Sequence, residues 1–318
     1  MGTSGLARRV WIDTDMGFDD LAAVLTVAMQ PDWRIDGMSL VAGNAPLPVV
    51  IDNALRAAHA FDWGFPIHAG CARPLVGALV TAQGILGADA MQSARRQLPP
   101  DCADLASDDA IGALHRHLSD AHEPATLLAL GPLTNVASLL DTHPALAARI
   151  GQLMWMGGSA GPGNHTAAAE FNAAVDPESV QRVLDHAVPL SMVGLDACRQ
   201  VRVHAADAQA LREIGTERAA MLADLLLGYV RIASPGGSRP MSLYDPSAAA
   251  ALVCPQAMQF RAAHVAMELR GEHTRGMTVV EWRVPRKAAA NARVASVADE
   301  GLVRSSVLGA LASASKKA

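Results

Sequence analysis

Four aspartates lie within the segment WIDTDMGFDD, residues 11–20, at the junction of two apolar runs. Carboxylates this close together repel one another, and burial raises their pKa values unless a cation lies among them. A helix N-cap explains one aspartate, and a first-turn position facing the helix dipole explains another. Asp13 and Asp15 remain, at a predicted strand end, where their oxygens would suit a hard divalent cation. The alternative is an acidic turn exposed to solvent.

Polar residues also follow three other apolar runs. Gly43-Asn44 follows residues 35–43, GPLTN (131–135) follows the run that begins at 125, and GGSAGPGN (157–164) follows the run that begins at 152. In an open parallel sheet, ligands bind outside the carboxyl ends of the strands. Turn preference explains each of these residues singly, but it explains their shared position poorly. The pattern therefore predicts one common site.

Short apolar runs alternate with helical patterns over the first 200 residues, as the elements of such a sheet should. The predicted strands are residues 9–13, 35–43, 65–70, 125–131, 152–158 and 188–196, and the predicted helices are 19–29, 46–61, 108–121, 132–141 and 176–186. Continuous apolar runs are typical of parallel strands buried on both faces. The alternation predicts an α/β fold with an open, mostly parallel, doubly wound sheet.

The pattern changes after residue 200. Helices are predicted at 204–214, 216–233 and 245–254, followed by extended runs at 261–271 and 276–284 and a closing helix. These are additional C-terminal helices and strands on the predicted sheet. Because no linker or internal repeat interrupts the chain, residues 1–318 are predicted to form a single domain.

Bulk properties exclude several classes of partner. The 318 residues carry a net charge of −5, without the basic stripe typical of nucleic-acid binding. No stretch approaches the roughly 18 apolar residues of a membrane span. The N-terminal segment lacks an apolar signal region, and the four cysteines form no C-x-x-C pair. We therefore expect a cytoplasmic protein with reduced thiols that binds neither nucleic acid nor membrane.

Three other metal-using families fit less well. An EF-hand loop starting at Asp13 would need an acidic or amide residue at position 17, glycine at 18 and glutamate at 24. The sequence has Gly17, Phe18 and Val24 at these positions. A Mg²⁺-dependent phosphatase of the haloacid-dehalogenase type needs a downstream lysine, and before the C-terminus only Lys287 is available. The two histidines at 115 and 117 would point to different faces of a helix, which disfavours zinc.

The segment DTDMGFDD (13–20) resembles the D-x-D-P-G-x-D-D signature of the nucleoside hydrolases, the inosine-uridine preferring nucleoside N-ribohydrolases. Further family motifs follow in the same order over nearly the whole chain. They are VAGN (41–44), AGCARPL (69–75), GPLTN (131–135), MGGSAGPGN (156–164), AEFNAAVDPES (169–179) and YDPSAA (244–249).

This resemblance implies hydrolysis of the N-glycosidic bond of a ribonucleoside, giving ribose and a free base. It implies a Ca²⁺ ion held by Asp15, Asp20, the Leu130 carbonyl and Asp245, with Asp15 also deprotonating the calcium-bound water. The ribose contacts that it implies are Asp19, Asn44, Met156, Asn164, Glu170 and Asn172. Asp13 would orient Asp15. Members are commonly homodimers or homotetramers.

The chemistry suits these residue types. Cleavage of a glycosidic bond passes through an oxocarbenium-like sugar, and water attacks the face opposite the leaving group. A metal ion and a carboxylate together lower the cost of forming hydroxide at neutral pH. Amides and carboxylates that hold the sugar hydroxyls supply positioning.

Several positions depart from the family pattern. Met16 replaces a usual proline, and Tyr244 replaces a histidine proposed to protonate the departing base. A loop His-Gly reads Gln83-Gly84, and a Thr-His pair reads Cys198-Arg199. Tyr244 is the candidate acid, although a phenol donates a proton less readily than an imidazolium does. Tyr229 and Arg231 could approach the base, but packing on a helix face explains them as well.

Alternatives remain open at this point. One is hydrolysis of a modified nucleoside or another N-riboside, and another is a non-catalytic protein that binds ribose or a nucleoside. A Mg²⁺-dependent phosphatase is more remote. Base preference, purine or pyrimidine, has no readable code in the sequence.

Overall fold

The computed structural model describes residues 7–316, so part of the N-terminal segment used to predict location lies outside the described residues. Strands are β1 (Arg8–Thr14), β2 (Trp33–Leu40), β3 (Ile67–Ala69), β4 (Ala125–Ala129), β5 (Ile150–Met156), β6 (Leu190–Val193), β7 (Arg202–Val203), β8 (Met241–Ser242), β9 (Met258–Met267), β10 (Thr278–Glu281) and β11 (Ala292–Ala298). Helices are α1 (Phe18–Ala28), α2 (Leu47–Ala60), α3 (Gln83–Leu86), α4 (Ala110–Asp120), α5 (Thr134–Thr142), α6 (Phe171–Val175), α7 (Pro177–Asp185), α8 (Leu195–Cys198), α9 (Ala205–Arg212), α10 (Glu217–Ala233), α11 (Asp245–Val253) and α12 (Glu300–Lys316).

Nine strands form the main sheet in the order β10-β9-β11-β6-β5-β4-β1-β2-β3. From β3 to β11 neighbouring strands are parallel, and β9 runs antiparallel to both β11 and β10. The predicted class, an open and mostly parallel α/β sheet with additional C-terminal elements, is confirmed. Strands β7 and β8 pair separately.

Both faces of the sheet are buried, because alternate residues of each strand enter different cores. On β1, Val10 and Ile12 face the larger core, and Trp11 faces the other. Each fully buried large apolar side chain contributes roughly 1.5–3 kcal/mol. Apolar residues at consecutive positions therefore reflect a strand covered by helices on two sides, as the sequence predicted.

Two predictions about the second half needed correction. The sequence indicated two extended runs near the C-terminus, but three strands form, and β11 (Ala292–Ala298) lies between β6 and β9. The predicted strand 188–196 ends at Val193, and Leu195 begins the short helix α8. Apolar runs of this length fit a strand or a buried helical turn equally well, so periodicity alone did not separate them.

Candidate active site

The carboxyl ends of β1, β2 and β4 meet at one edge of the sheet. The main-chain N–H of Val41 donates to the Thr14 carbonyl at 3.0 Å, and that of Leu130 donates to the Asp13 carbonyl at 2.8 Å. These bonds extend the ladder past the strand ends and bring the aspartate segment, Asn44 and the GPLTN segment together. The shared position predicted for the polar clusters is confirmed for these three strands.

Asp15 directly follows β1 and is buried. Its side chain is 1% exposed, and Oδ2 accepts a hydrogen bond of 2.7 Å from the main-chain N–H of Asn44. Its Oδ1 is buried without a partner among the described residues. Gly43 and Gly131 lie against this carboxylate, where a Cβ atom on Gly43 would collide with it. Burial and the neighbouring charge of Asp20 raise the pKa of Asp15 well above its ordinary value.

Asp20 anchors the start of α1. It accepts hydrogen bonds from Thr14 Oγ1 at 2.5 Å, from the Gly17 main-chain N–H at 2.7 Å and from Asn44 Nδ2 at 3.2 Å. The bond to Gly17, the residue that precedes the helix, is half of a capping box. One carboxylate therefore holds both the helix terminus and the Asn44 side chain.

Asp19, Asp20 and Asp245 converge on a common point. One oxygen from each lies within 4.8 Å of the other two. Asp245 begins α11, so residues 225 positions apart in the chain share this cluster (245 minus 20). Burial, together with the charges of Asp19, Asp20 and Asp15, raises the pKa of Asp245 well above its ordinary value.

A divalent cation fits this arrangement. The donor atoms are carboxylate oxygens, and the orphaned Oδ1 of Asp15 is a buried acceptor that lacks a protein donor. Oxygen ligands of this kind suit hard cations such as Ca²⁺ and Mg²⁺. A cation would also offset the burial, and for Asp19 and Asp245 the repulsion between charges, that raise the pKa values of these acids. The geometry thus supports an acidic metal-binding cluster.

A cavity of about 300 Å³ opens beside the cluster. Its polar lining contains predicted site residues from five segments of the chain, together with apolar residues from α3 and α10. The lining residues are Asp19, Asn44, Ala82, Ile85, Leu86, Leu130, Met156, Asn164, His165, Glu170, Phe171, Asn172, Tyr229, Ile232, Ala233, Met241, Tyr244 and Asp245. This volume is within the range of small-molecule pockets.

Glu170 and Asn172 organise the far wall of the cavity. Glu170 accepts main-chain N–H bonds from Gly158, Asn172 and Ala173 at 2.8–3.0 Å, and it caps α6. Asn172 donates to the Leu130 carbonyl at 2.7 Å and to the Met156 carbonyl at 3.0 Å. The Leu130 carbonyl therefore lies beside Asn172, and Leu130 borders the cavity.

This chain is similar to known proteins in sequence and in fold. The family model described as "Inosine-uridine preferring nucleoside hydrolase" matches residues 10–304. The chain belongs to this family. It is therefore an enzyme of the nucleoside hydrolase class, whose substrates are small-molecule ribonucleosides.

Individual relatives of this nucleoside hydrolase cover nearly its full length. The pyrimidine-specific ribonucleoside hydrolase RihA of Salmonella agona is 32% identical over 87% of this chain and 89% of its own. A solved inosine-guanosine nucleoside hydrolase has a TM-score of 0.86 at 25% identity, covering 98% and 99% of the two chains. A purine-preferring ribonucleoside hydrolase from Gardnerella vaginalis has a TM-score of 0.87, and at 22% identity it supports the fold alone.

The positions where this nucleoside hydrolase departs from the family pattern have different surroundings. Tyr244 lines the cavity, and burial raises the pKa of its phenol above the ordinary value. Cys198 is fully buried beneath it, with Sγ 3.7 Å from the Tyr244 carbonyl. Arg199 donates to the carbonyls of Pro162 and Gly163. Gln83 is outside the cavity lining and donates to the Ala88 carbonyl at 2.6 Å.

The two residues considered for the base pocket, Tyr229 and Arg231, have different surroundings in the structure. Tyr229 packs against Phe18, with ring centroids 5.5 Å apart, and its hydroxyl donates to the Ser242 carbonyl at 2.7 Å. It also borders the cavity, so it combines packing with a position at the site. Arg231 is exposed and does not belong to the lining.

The sequence did not reveal several residues that build or border the site. Asn53 donates its side-chain amide to the carbonyls of Met16 and Asp89, at 3.0 and 2.7 Å, and thereby connects the aspartate segment to the stretch that follows α3. The sequence signal that could have identified Asn53 is a polar amide on the buried face of the amphipathic helix α2. His165 follows Asn164 directly but belongs to no quoted family motif.

No helix among residues 7–316 combines the length and apolar character needed to cross a bilayer.

Proposed function

We propose that this protein hydrolyses ribonucleosides with Ca²⁺ as its metal and Asp15 as the general base. The observation that carries the proposal is the buried, unpartnered Oδ1 of Asp15 beside the acidic cluster. Asp15, Asp20, Asp245 and the Leu130 carbonyl would hold the ion. When bound, Ca²⁺ would neutralise these carboxylates and make a neighbouring water easier to deprotonate.

The other site residues would position the sugar. Asp19, Asn44, Asn164, Glu170 and Asn172 would contact the ribose hydroxyls, and Met156 would line the sugar pocket. The cavity supports this assignment, because all six residues border it. Fixing the hydroxyls presents C1′ to the water that Asp15 deprotonates, and it supplies contacts that strengthen as the ring flattens.

Tyr244 would hydrogen-bond the departing base. Its raised pKa keeps the phenol protonated at neutral pH, so it is a donor there. Asp13 would hold the aspartate segment in place through its bonds to Ser39 and Asn135.

Pyrimidine ribonucleosides are the substrate class we propose. The support is the name of the RihA relatives, which match 87% of this chain at 32% identity. Solved relatives whose names specify purines or inosine and guanosine share 22–25% identity. Apolar residues from α3 and α10 form the part of the cavity that would surround the base.

A nucleoside panel tests this proposal. Purified enzyme is incubated with uridine, cytidine, inosine and adenosine, and released ribose is measured with and without a chelator. We expect release from uridine and cytidine, loss of activity with the chelator, and recovery on adding Ca²⁺. Activity that is unaffected by chelation would disprove the metal role. Binding of ribose without turnover of any nucleoside or other N-riboside would indicate a non-catalytic protein.

We further propose that residues 1–318 form one cytoplasmic domain that assembles as a homodimer or homotetramer. The single-domain assignment is supported by the main sheet, which combines strands from residue 8 to residue 298. The proposed oligomeric state is taken from the family resemblance. Light scattering coupled to size-exclusion chromatography would measure it.

A further inference from the structure

The part of the cavity that would receive the base has few groups able to give up a proton. The Tyr229 hydroxyl already donates to the Ser242 carbonyl at 2.7 Å. The Tyr244 phenol is a weak acid in its buried position. Ile85, Leu86 and Ile232 are apolar. Cleaving a bond to a nitrogen base nevertheless benefits from protonation of that base by a nearby acid.

Once the residues proposed to hold the metal and the sugar are set aside, His165 is the remaining group of suitable chemistry in this lining. Its ring stands edge-on to Phe171, with centroids 5.5 Å apart and an interplanar angle of 72°. Both rings border the cavity. Within residues 7–316 the imidazole has no hydrogen-bond or ion-pair partner, so its nitrogens are available to a ligand. Histidine is the side chain best suited to exchange protons near neutral pH.

The main chain around His165 is held in place. The N–H groups of Asn164 and His165 both point to the Ala169 carbonyl, at 3.2 and 3.1 Å. The Asn164 side chain accepts a bond of 2.9 Å from the Phe171 main-chain N–H. Arg199 grips the preceding carbonyls of Pro162 and Gly163 at 2.8 and 2.7 Å.

This loop therefore presents two adjacent side chains to one cavity. Asn164 is the proposed sugar contact, and a residue next to a sugar contact is well placed to reach the group attached to the sugar. Arg199 and Tyr244 occupy positions at which the family pattern has histidines, whereas His165 is a histidine that borders the same cavity as Tyr244.

We propose that His165 protonates the departing base. This inference rests on the proposed hydrolase function. As the C1′–N bond breaks, its electron pair moves to the base, and an imidazolium proton passes to a heteroatom of that base. Water adds its hydroxyl group to C1′, and its proton passes to Asp15. Asp15 then releases that proton to solvent, and His165 takes one up, so the reaction consumes one water and yields ribose and neutral base.

Two substrates with different leaving groups test the proposal. Uridine releases a base that needs protonation, whereas 4-nitrophenyl β-D-ribofuranoside releases a phenolate that is stable as an anion. Both have the same ribose and the same attacking water. His165→Ala should lower kcat/KM for uridine by about 10²-fold, within the usual range for losing a general acid, and should leave the nitrophenyl riboside nearly unchanged.

Matched variants separate a chemical role from a structural one. His122→Ala removes an exposed histidine outside the cavity lining and should change neither substrate. His165→Gln keeps a hydrogen-bond donor but not an acid, so it should lose nearly as much activity on uridine as His165→Ala. Circular dichroism and ribose inhibition should match the parent.

Each other outcome has a definite meaning. Equal losses on both substrates would show that His165 acts through the sugar site, and this would overturn the proposal, as would full activity of His165→Ala on uridine. If the parent enzyme cleaved neither substrate with Ca²⁺ present, the proposed hydrolase function would fail first, and this inference with it.

Discussion

Asn135 donates its side-chain amide to Oδ1 of Asp13 over 2.7 Å, although 122 residues separate them in the chain. Ser39 donates to the same oxygen. Asn135 also donates to the Leu40 carbonyl at 3.1 Å and accepts from the Cys71 main-chain N–H at 2.8 Å. Asp13 thus connects the ends of β1 and β2 to the start of α5, two residues before Asp15 in the chain.

Replacing Asp13 should weaken catalysis without removing a ligand. Asp13→Ala leaves the Asn135 amide and the Ser39 hydroxyl without their acceptor, so the aspartate segment is held less firmly. Residues that orient metal ligands typically contribute about 10–100-fold to affinity or activity. We expect kcat/KM to fall in that range and the Ca²⁺ concentration for half-maximal activity to rise. A parent-like Ca²⁺ dependence would contradict the orienting role.

Calcium should stabilise the folded protein. A ligand present at about 100 times its Kd adds roughly 2.7 kcal/mol to the free energy of unfolding. We expect the thermal midpoint of the chelator-treated parent to rise with Ca²⁺ and that of Asp20→Asn to rise much less. Asp101→Asn, at an exposed position, is the control and should respond like the parent. An equal response in both variants would disprove the assigned site.

Glu170→Gln should lower the stability of the segment that Glu170 caps and should weaken ribose binding. The carboxylate accepts three main-chain N–H bonds, and an amide at this position turns one N–H toward an NH₂ group. Loss of such a cap costs about 1 kcal/mol of stability. We expect weaker inhibition by ribose and a higher KM, measured beside the exposed control Glu123→Gln. Unchanged ribose inhibition would leave Glu170 with only the capping role.

Tyr244→Phe should lower turnover and spare ribose binding. Removing a hydrogen bond to the departing base costs about 1–1.5 kcal/mol, which corresponds to roughly tenfold in rate. Tyr229→Phe is the matched control, because its hydroxyl already bonds to the Ser242 carbonyl and its loss should reduce stability instead. Steady-state kinetics with uridine provide the measurement. If Tyr244→Phe turned over uridine as fast as the parent enzyme does, Tyr244 would only line the pocket and would not assist the departing base.

Asp224 on α10 should contribute a stability that depends on pH. Its carboxylate is buried, yet bonds from Arg212 at 2.6 Å and from the Arg96 main-chain N–H outweigh that burial and hold its pKa below the ordinary value. A carboxyl group with a lowered folded-state pKa stabilises the protein above its unfolded pKa near 3.8, and this contribution disappears as pH falls through the folded-state pKa.

Asp224→Asn should therefore lower the free energy of unfolding at pH 7 by about 2–3 kcal/mol. This is less than the usual cost of breaking a buried ion pair, because the arginine partners are partly exposed. The difference from the parent should shrink as pH falls below about 4, near the reference pKa of aspartate. Asp62→Asn breaks a pair with Arg218 in which Asp62 is 74% exposed, and it should cost less than about 1 kcal/mol. Urea unfolding at several pH values measures both variants. A pH-independent difference would contradict the linkage.

The sequence by itself determined the class of the sheet and predicted that several polar segments share one site. Apolar runs at consecutive positions require cover on both faces, and strands of that kind lie parallel between helices. Parallel strands place their carboxyl ends together, which is why Asp15, Asn44 and the GPLTN segment (131–135) could be assigned to one site. The aspartate segment carries its own physical requirement, since its charges repel without a cation.

Only the tertiary structure decided which distant groups complete that site. The bond between Asp13 and Asn135 and the position of His165 at the cavity depend on how helices and loops pack over the sheet. Packing is set by many apolar contacts summed over the whole chain, and local sequence patterns do not encode that sum. For the same reason β11 was missed, because its place between β6 and β9 is defined by its neighbours in the sheet and not by its own periodicity.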